Sequence, residues 1–261
     1  NIYDESGSVV EDVKELPIMP LEAAVKLESD AIILVSSSQD EEEQLKYAIF
    51  RTGYMGEVIS LYDHYKDFSV KTAAIRKLAW RLEELGVEGA AADLGAGYGD
   101  ISWQMNALMP QRKLYLFDTF TGLDERDVLK EWELGNDQVQ TGLFAFSAKE
   151  QEKAEQLLLD RMPYPEQAVV KKGWFPESAF NLEDEIFALV HIDTGLYAPT
   201  FSGIQYFFPR LSKGGVILLT GYENGKSRSV YQAVRNLEAQ YGAFLITPLC
   251  DMDGTVMIVR P

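Results

Sequence analysis

The sequence predicts an α/β protein: a doubly wound, mostly parallel sheet with an antiparallel strand at its end, preceded by a partial α/β segment. Three observations predict it. Short apolar strands alternate with helical segments from Ala90 onward, the pattern of parallel strands joined by crossover helices. A glycine-rich turn, Asp93-Leu94-Gly95-Ala96-Gly97-Tyr98-Gly99, links the first of these strands to a helix. The last two strands follow one another with Asp253-Gly254 between them, which suits a turn between antiparallel neighbours. The 261 residues are 46% hydrophobic and 25% charged. That composition excludes a disordered or fibrous chain and allows one large domain with a smaller piece beside it.

The elements follow in order. Residues 1–16 are polar and acidic and show no period. Pro17–Met19 reads as a short strand, and Pro20 opens a helix reaching Glu28. Ala31–Ser36 is a buried strand, Asp40–Arg51 a helix, and Glu57–Tyr62 a strand entered through Gly53 and Gly56. This segment, residues 1–65, carries no glycine-rich phosphate loop and reads as a nucleotide-binding-like unit lacking its first half. Its expected role is docking or structural. The second domain is residues 66–261. Lys71–Leu85 places Ile75, Leu78, Ala79, Leu82 and Leu85 on one helical face, and Gly86 closes it. Strands are expected at Ala90–Leu94, Leu114–Asp118, Ala168–Lys172, Phe187–Ile192 and Gly215–Thr220, then at Ala243–Pro248 and Thr255–Val259. Residues 121–150, with Trp132, Phe144 and Phe146, form a long acidic connection of the kind that serves as a lid or binding loop.

Charge narrows the function. Against 24 Lys and Arg stand 41 Asp and Glu, a formal net charge of −17. Such a chain repels phosphate backbones and anionic lipid, so neither nucleic acid nor a membrane surface is an expected partner. No apolar run approaches the roughly 20 residues of a membrane span. One cysteine, Cys250, and two histidines, His64 and His191, exclude a disulfide and a Cys- or His-rich metal site. With no signal-peptide pattern, a cytoplasmic location is the default. The chain starts at Asn1 rather than Met, which reads as a fragment. A homo-oligomer is compatible with the sequence.

The glycine turn carries the chemistry. Asp93 ends a strand, and Gly95, Gly97 and Gly99 alternate before the helix Ile101–Leu108. Glycines let the backbone turn sharply and approach a ligand, and the helix start offers unpaired amides. The spacing differs from the dinucleotide pattern GxGxxG and resembles motif I of S-adenosylmethionine-dependent methyltransferases. A carboxylate there suits the cofactor's amino group. Nineteen residues after Gly99 the next strand ends in Asp118, placed to hold both ribose hydroxyls.

Four further stretches carry a family resemblance. Leu116-Phe117-Asp118-Thr119-Phe120-Thr121-Gly122-Leu123 resembles the FDSFEGL signature of the macrocin O-methyltransferase (TylF) family. Lys172-Gly173-Trp174-Phe175-Pro176 resembles its KGWF strand end, and His191-Ile192-Asp193-Thr194-Gly195-Leu196-Tyr197 its HIDxDLY. Leu211–Gly215 with Val216–Tyr222 resembles its LxPGGxxxxDDY, and the tail Asp253-Gly254-Thr255 also fits. The resemblance spans about residues 71–261. It implies a Rossmann-like class I methyltransferase that moves a methyl group from S-adenosylmethionine to a hydroxyl of a small molecule, such as a sugar. It implies cofactor contacts at Asp93, Gly95, Gly97, Gly99, Asp118, Thr119, Phe120, Trp174 and Asp193, with Trp174 and Phe175 near the adenine.

The same resemblance implies a divalent metal held by aspartates, and here the sequence departs. Gly195, Thr220 and Gly221 stand where the family has carboxylates. Asp193 alone is a poor magnesium site, so no bound metal is expected. Asp193 is then the expected catalytic base, with His191 a hydrogen-bonded core residue on the same strand face. The alternative is an inactive homologue that keeps the cofactor pocket as a sensor or scaffold. A nicotinamide dehydrogenase is disfavoured by the glycine spacing.

Overall fold

A computed structural model describes residues 20–26, 31–34, 39–60, 70–223, 228–251 and 253–261. The chain divides into two compact units, Asn1–Phe68 and Ser69–Pro261. In the first, helix α1 (Leu21–Ala24) and helix α2 (Gln39–Arg51) accompany strands β1 (Ala31–Leu34) and β2 (Glu57–Ser60). The two strands pair in parallel, Ala31 opposite Glu57 and Leu34 opposite Ser60. The expected strand at Pro17–Met19 and the ends of the expected elements at Glu28, Ser36 and Tyr62 lie outside the described residues, as does His64.

The second unit is a seven-stranded sheet in the order β5-β4-β3-β6-β7-β9-β8. Its strands are β3 (Ala90–Leu94), β4 (Leu114–Asp118), β5 (Ala168–Lys172), β6 (Phe187–Ile192), β7 (Leu211–Leu219), β8 (Leu245–Pro248) and β9 (Val256–Val259). Strands β3 to β7 run parallel, and β9 enters antiparallel between β7 and β8. The chain builds outward from β3 to β5, then returns to lay β6 on the other side of β3. The reversal between β3 and β6 opens a crevice at the strands' carboxyl ends, where such sheets bind ligands.

The helices follow the apolar period. Helix α3 (Val70–Glu84) buries Ile75, Ala79 and Leu82 at heptad-like spacing. Helix α4 (Asp100–Leu108) starts from Gly99, whose left-handed φ of 85° makes it the N-cap. Between β4 and β5 lie α5 (Glu125–Glu133), α6 (Ala148–Gln151) and α7 (Ala154–Arg161). The long connection is thus partly helical: Asp124 caps α5 by accepting the Arg126 N–H, and Ser147 and Glu150 form a capping box on α6. Helices α8 (Tyr197–Phe207) and α9 (Ser229–Tyr241) complete the unit. Each sheet face packs its own core, one around Phe117, Phe187, Ile192 and Phe207, the other around Ile75, Met105, Leu116 and Leu189. Burial on both faces explains why β3 and β6 are apolar at nearly every position. No described helix is long and apolar enough to cross a membrane.

Candidate active site

The crevice is a cavity of about 490 Å³, within the usual range of small-molecule sites. Its floor is the glycine turn. Gly95 has a φ of 89°, and a Cβ there would overlap the carbonyl oxygen of Asp193. Only glycine lets the end of β3 sit this close to the end of β6. Gly97, which lines the cavity, differs: it needs glycine for its left-handed φ of 51°, but a Cβ would meet no protein atom within 4 Å. Gly99 does not line the cavity; its missing Cβ makes room for Leu158.

Asp118, at the end of β4, fastens this floor. Its Oδ2 accepts the Gly97 N–H at 2.8 Å and its Oδ1 the Phe120 N–H at 2.7 Å. Burial raises its pKa above the ordinary value, opposed by these two donors. The second bond holds Phe120 at a φ of 58°, a conformation bulky residues rarely adopt. Phe120 is buried and off the cavity wall, whereas Thr119 lines it and accepts the Thr121 N–H while donating to the Gly122 carbonyl. The two carboxylate oxygens retain lone pairs for a ligand.

The structure places Asp93 behind the cavity rather than on its wall. It is 1% exposed. Ser102 donates to its Oδ2 at 2.6 Å, and His191 Nδ1 lies 2.8 Å from its Oδ1. A carboxylate only accepts, so Nδ1 carries the proton. His191 Nε2 reaches Thr220 Oγ1 at 3.2 Å. One buried chain, Ser102–Asp93–His191–Thr220, thereby ties α4, β3, β6 and the end of β7 together beneath the site. The sequence assigned Asp93 to the cofactor's amino group; both of its oxygens are engaged within the protein instead.

The opposite wall is Trp174, Asp127 and Asp124. Trp174 Nε1 donates to Asp127 Oδ2 at 3.0 Å, and the Arg126 guanidinium lies 3.9 Å from the indole centre. Phe175 lines the cavity and also packs in the core beside Phe117 and Phe207. Burial pushes Asp127 up to about 6, against the Trp174 hydrogen bond that lowers it. Its Oδ1 is buried with no partner in the protein. The Arg126 hydrogen bond pulls Asp124 below its ordinary value.

Sequence reasoning missed Asp127 and also Glu131, which is fully buried. Glu131 accepts from the Tyr197 N–H at 2.6 Å, the Ser229 hydroxyl at 2.6 Å and the Asn136 amide at 2.8 Å. It thus caps α8 from outside and anchors the start of α9, favourable partners for a carboxylate at helix N-termini. Its only sequence signal was spacing, Val128 and Glu131 sharing a face of α5.

Asp193 follows β6 on the cavity wall, with its side chain 43% exposed. Gly195 lines the wall beside it, and the Thr220 hydroxyl is taken up by His191. Among the described residues no group of three or more His, Cys, Asp or Glu side chains converges on a point where a metal ion would sit. A cation is nevertheless present: Lys71 Nζ lies 4.0 Å from Asp193 Oδ2 and 2.9 Å from Asp253 Oδ2. This donor set does not fit a divalent ion, which needs several oxygen ligands and no ammonium among them.

The fold recurs in solved structures. The O-methyltransferase NovP superposes with a TM-score of 0.58 at 19% identity, covering 73% of this chain and 79% of that one. The calicheamicin methyltransferase CalS11 gives 0.60 at 20% identity, covering 86% and 94%. A relative from Streptomyces olivaceus, 8-demethyl-8-(2,3-dimethoxy-alpha-L-rhamnosyl)-tetracenomycin-C 4'-O-methyltransferase, is 27% identical over 188 residues, 67% of each chain. The family model of macrocin O-methyltransferase (TylF) matches residues 72–260, the stretch that holds the glycine turn, Asp118, Trp174 and Asp193. The chain belongs to the macrocin O-methyltransferase (TylF) family of S-adenosylmethionine-dependent methyltransferases.

Proposed function

We propose that this protein methylates a hydroxyl group of a small sugar-bearing molecule, using S-adenosylmethionine bound over Gly95–Gly99. One observation carries the reading: Gly97, Asp118, Trp174 and Asp193 line a single cavity at the switch point of the sheet. The cavity suits a cationic ligand, because four of its lining residues are Asp118, Asp124, Asp127 and Asp193. The open face of Gly97 leaves room for close approach, and the unpartnered Asp127 Oδ1 awaits a hydrogen-bond donor. The tetracenomycin relative, by its name, acts on a rhamnosyl group, which supports the sugar class of acceptor.

When bound, the cofactor supplies an electrophilic methyl group on a sulfonium. Asp118 would hold the ribose, and Trp174 with Asp127 would hold the adenine. Asp193 receives the acceptor's hydroxyl proton as the oxygen–methyl bond forms. The bound cofactor would give up its methyl group and keep the electron pair on sulfur, and Asp193 would pass the acceptor's proton on to water. Holding the hydroxyl in line with the methyl group supplies much of the acceleration; Asp193 adds general-base catalysis worth about 10²–10⁴-fold.

The test is transfer of a labelled methyl group to rhamnosyl glycosides and nucleotide-activated rhamnose. Asp193→Asn keeps the side chain's shape and removes the base, so turnover at saturating cofactor should fall by about 10²-fold or more. Cofactor binding with no transfer to any hydroxylated acceptor would instead support the inactive homologue.

A further inference from the structure

Lys71 stands out among the charged groups of the second unit. It lies on the first turn of α3, one residue before the stretch that matches the family model. Its side chain is 8% exposed, and its ammonium sits between Asp193 and Asp253. Burying an ammonium is costly unless carboxylates compensate it, and two do.

Backbone contacts fix the segments that carry its two carboxylate partners. The Asp193 N–H donates to the Leu94 carbonyl, and the Thr220 N–H to the Ile192 carbonyl, so the ends of β3, β6 and β7 are laced together. The Gly221 N–H donates to the Asp253 carbonyl and the Glu223 N–H to the Gly254 carbonyl. The Asp251 carboxylate accepts the Thr255 N–H at 2.7 Å and so rigidifies the Asp253 loop. The ammonium lies between the Asp193 carboxylate, at the end of β6, and the Asp253 carboxylate, whose residue is tied through its backbone carbonyl to Gly221. Gly195, two residues after Asp193, and Gly221 carry no carboxylate.

We infer that Lys71 is the resident cation of the methyl-transfer site, a positioning residue that takes the place of a divalent metal beside Asp193. This rests on the methyltransferase reading above. The ammonium balances Asp193 and Asp253, fixes the Asp193 carboxylate at the end of β6, and makes transfer independent of metal. Because Lys71 is delivered by α3, the site is completed by a helix outside the cavity's own glycine floor.

Two measurements on the full chain test it. The first needs no acceptor: the electron paramagnetic signal of Mn²⁺ is recorded with the wild type and with Lys71→Met. The wild type should leave the free-ion signal unchanged, while Lys71→Met, which exposes Asp193 and Asp253 to each other, should reduce it. Uptake by the wild type, or by neither protein, overturns the inference. The second is labelled-methyl transfer with excess chelator and with added magnesium. Lys71→Met should lower kcat by about 10- to 100-fold, less than or equal to the loss of one preorganised electrostatic group. The KM for cofactor should stay within about twofold, and Lys71→Arg should recover part of kcat, since it restores the charge. Turnover abolished by chelator and restored by magnesium, or a Lys71→Met kcat equal to that of the wild type, refutes it. Failure of the methyltransferase reading looks different: no transfer by the wild type under any condition, with the manganese result still deciding the role of Lys71.

Discussion

Replacing Asp118 tests the cofactor site most directly. Its carboxylate holds two backbone amides, Gly97 at 2.8 Å and Phe120 at 2.7 Å. Hydrogen bonds to a charged group contribute about 1.5–3 kcal/mol each. Asp118→Ala leaves both amides without their acceptor, but the cavity is open and water recovers part of that loss. The ribose hydroxyls assigned to Asp118 under the proposed function lose their acceptor as well, and a net loss of about 1–3 kcal/mol there corresponds to roughly 5- to 150-fold weaker cofactor binding. Asp118→Asn is the sharper probe. Its carbonyl serves one amide while its NH₂ is turned toward the other donor, so a near-isosteric change should cost about as much as alanine. Isothermal titration with S-adenosylmethionine reads the affinity, and circular dichroism checks that the sheet is intact. Burial raises the Asp118 pKa, so affinity should also begin to fall on acidification at a higher pH than an ordinary aspartate would give. An Asp118→Asn protein that binds within twofold of the wild type would refute the reasoning.

Three further outcomes are expected. Asp127 has its folded-state pKa raised to about 6 by burial, so the folded state binds its proton more tightly than the unfolded state does. Its contribution is most favourable below the unfolded value of about 4, is lost between about pH 4 and 6, and is flat above. Asp127→Asn should therefore stabilise the protein by about 1–2 kcal/mol at pH 7.5 and by less at pH 4; thermal melts showing the same difference at both values count against it. Glu131→Ala removes the acceptor of three donors, at Tyr197, Ser229 and Asn136, and should cost about 3 kcal/mol or more, since each buried donor left unsatisfied costs about 1–3 kcal/mol, read as a lower urea midpoint. Gly95→Ala and Gly97→Ala should separate. The first drives a Cβ into the Asp193 carbonyl and should destabilise the fold strongly, while the second meets no protein atom and carries only the strain of its left-handed φ, about 1–2 kcal/mol, so it should melt within a few degrees of the wild type yet lose cofactor affinity. Equal melting temperatures for the pair would show that β3 and β6 are not in this contact.

What the sequence determined by itself was the sheet and the floor of the site. Strands Ala90–Leu94, Leu114–Asp118 and Phe187–Ile192 are legible to the residue, because buried parallel strands are short apolar runs bounded by glycine and charge; the edge strand Ala168–Lys172, half-exposed, is legible from its valines and its place in the alternation. The glycine turn and the strand-end carboxylates Asp118 and Asp193 follow from local spacing for the same reason: each occupies a fixed place relative to its own strand. The tertiary structure decided which of these groups face the cavity. Asp93 turned inward to Ser102 and His191 because pairing beneath the sheet satisfies a buried carboxylate that no solvent reaches. Asp127 joined the cavity wall, and Glu131 became the anchor of α8 and α9, only when α5 folded against Trp174 and the starts of those helices. Lys71 is 122 residues from Asp193 in the chain and 4.0 Å from it in space. No local pattern marks such a pair, since what joins an ammonium to a carboxylate is the long-range packing that buries the first beside the second.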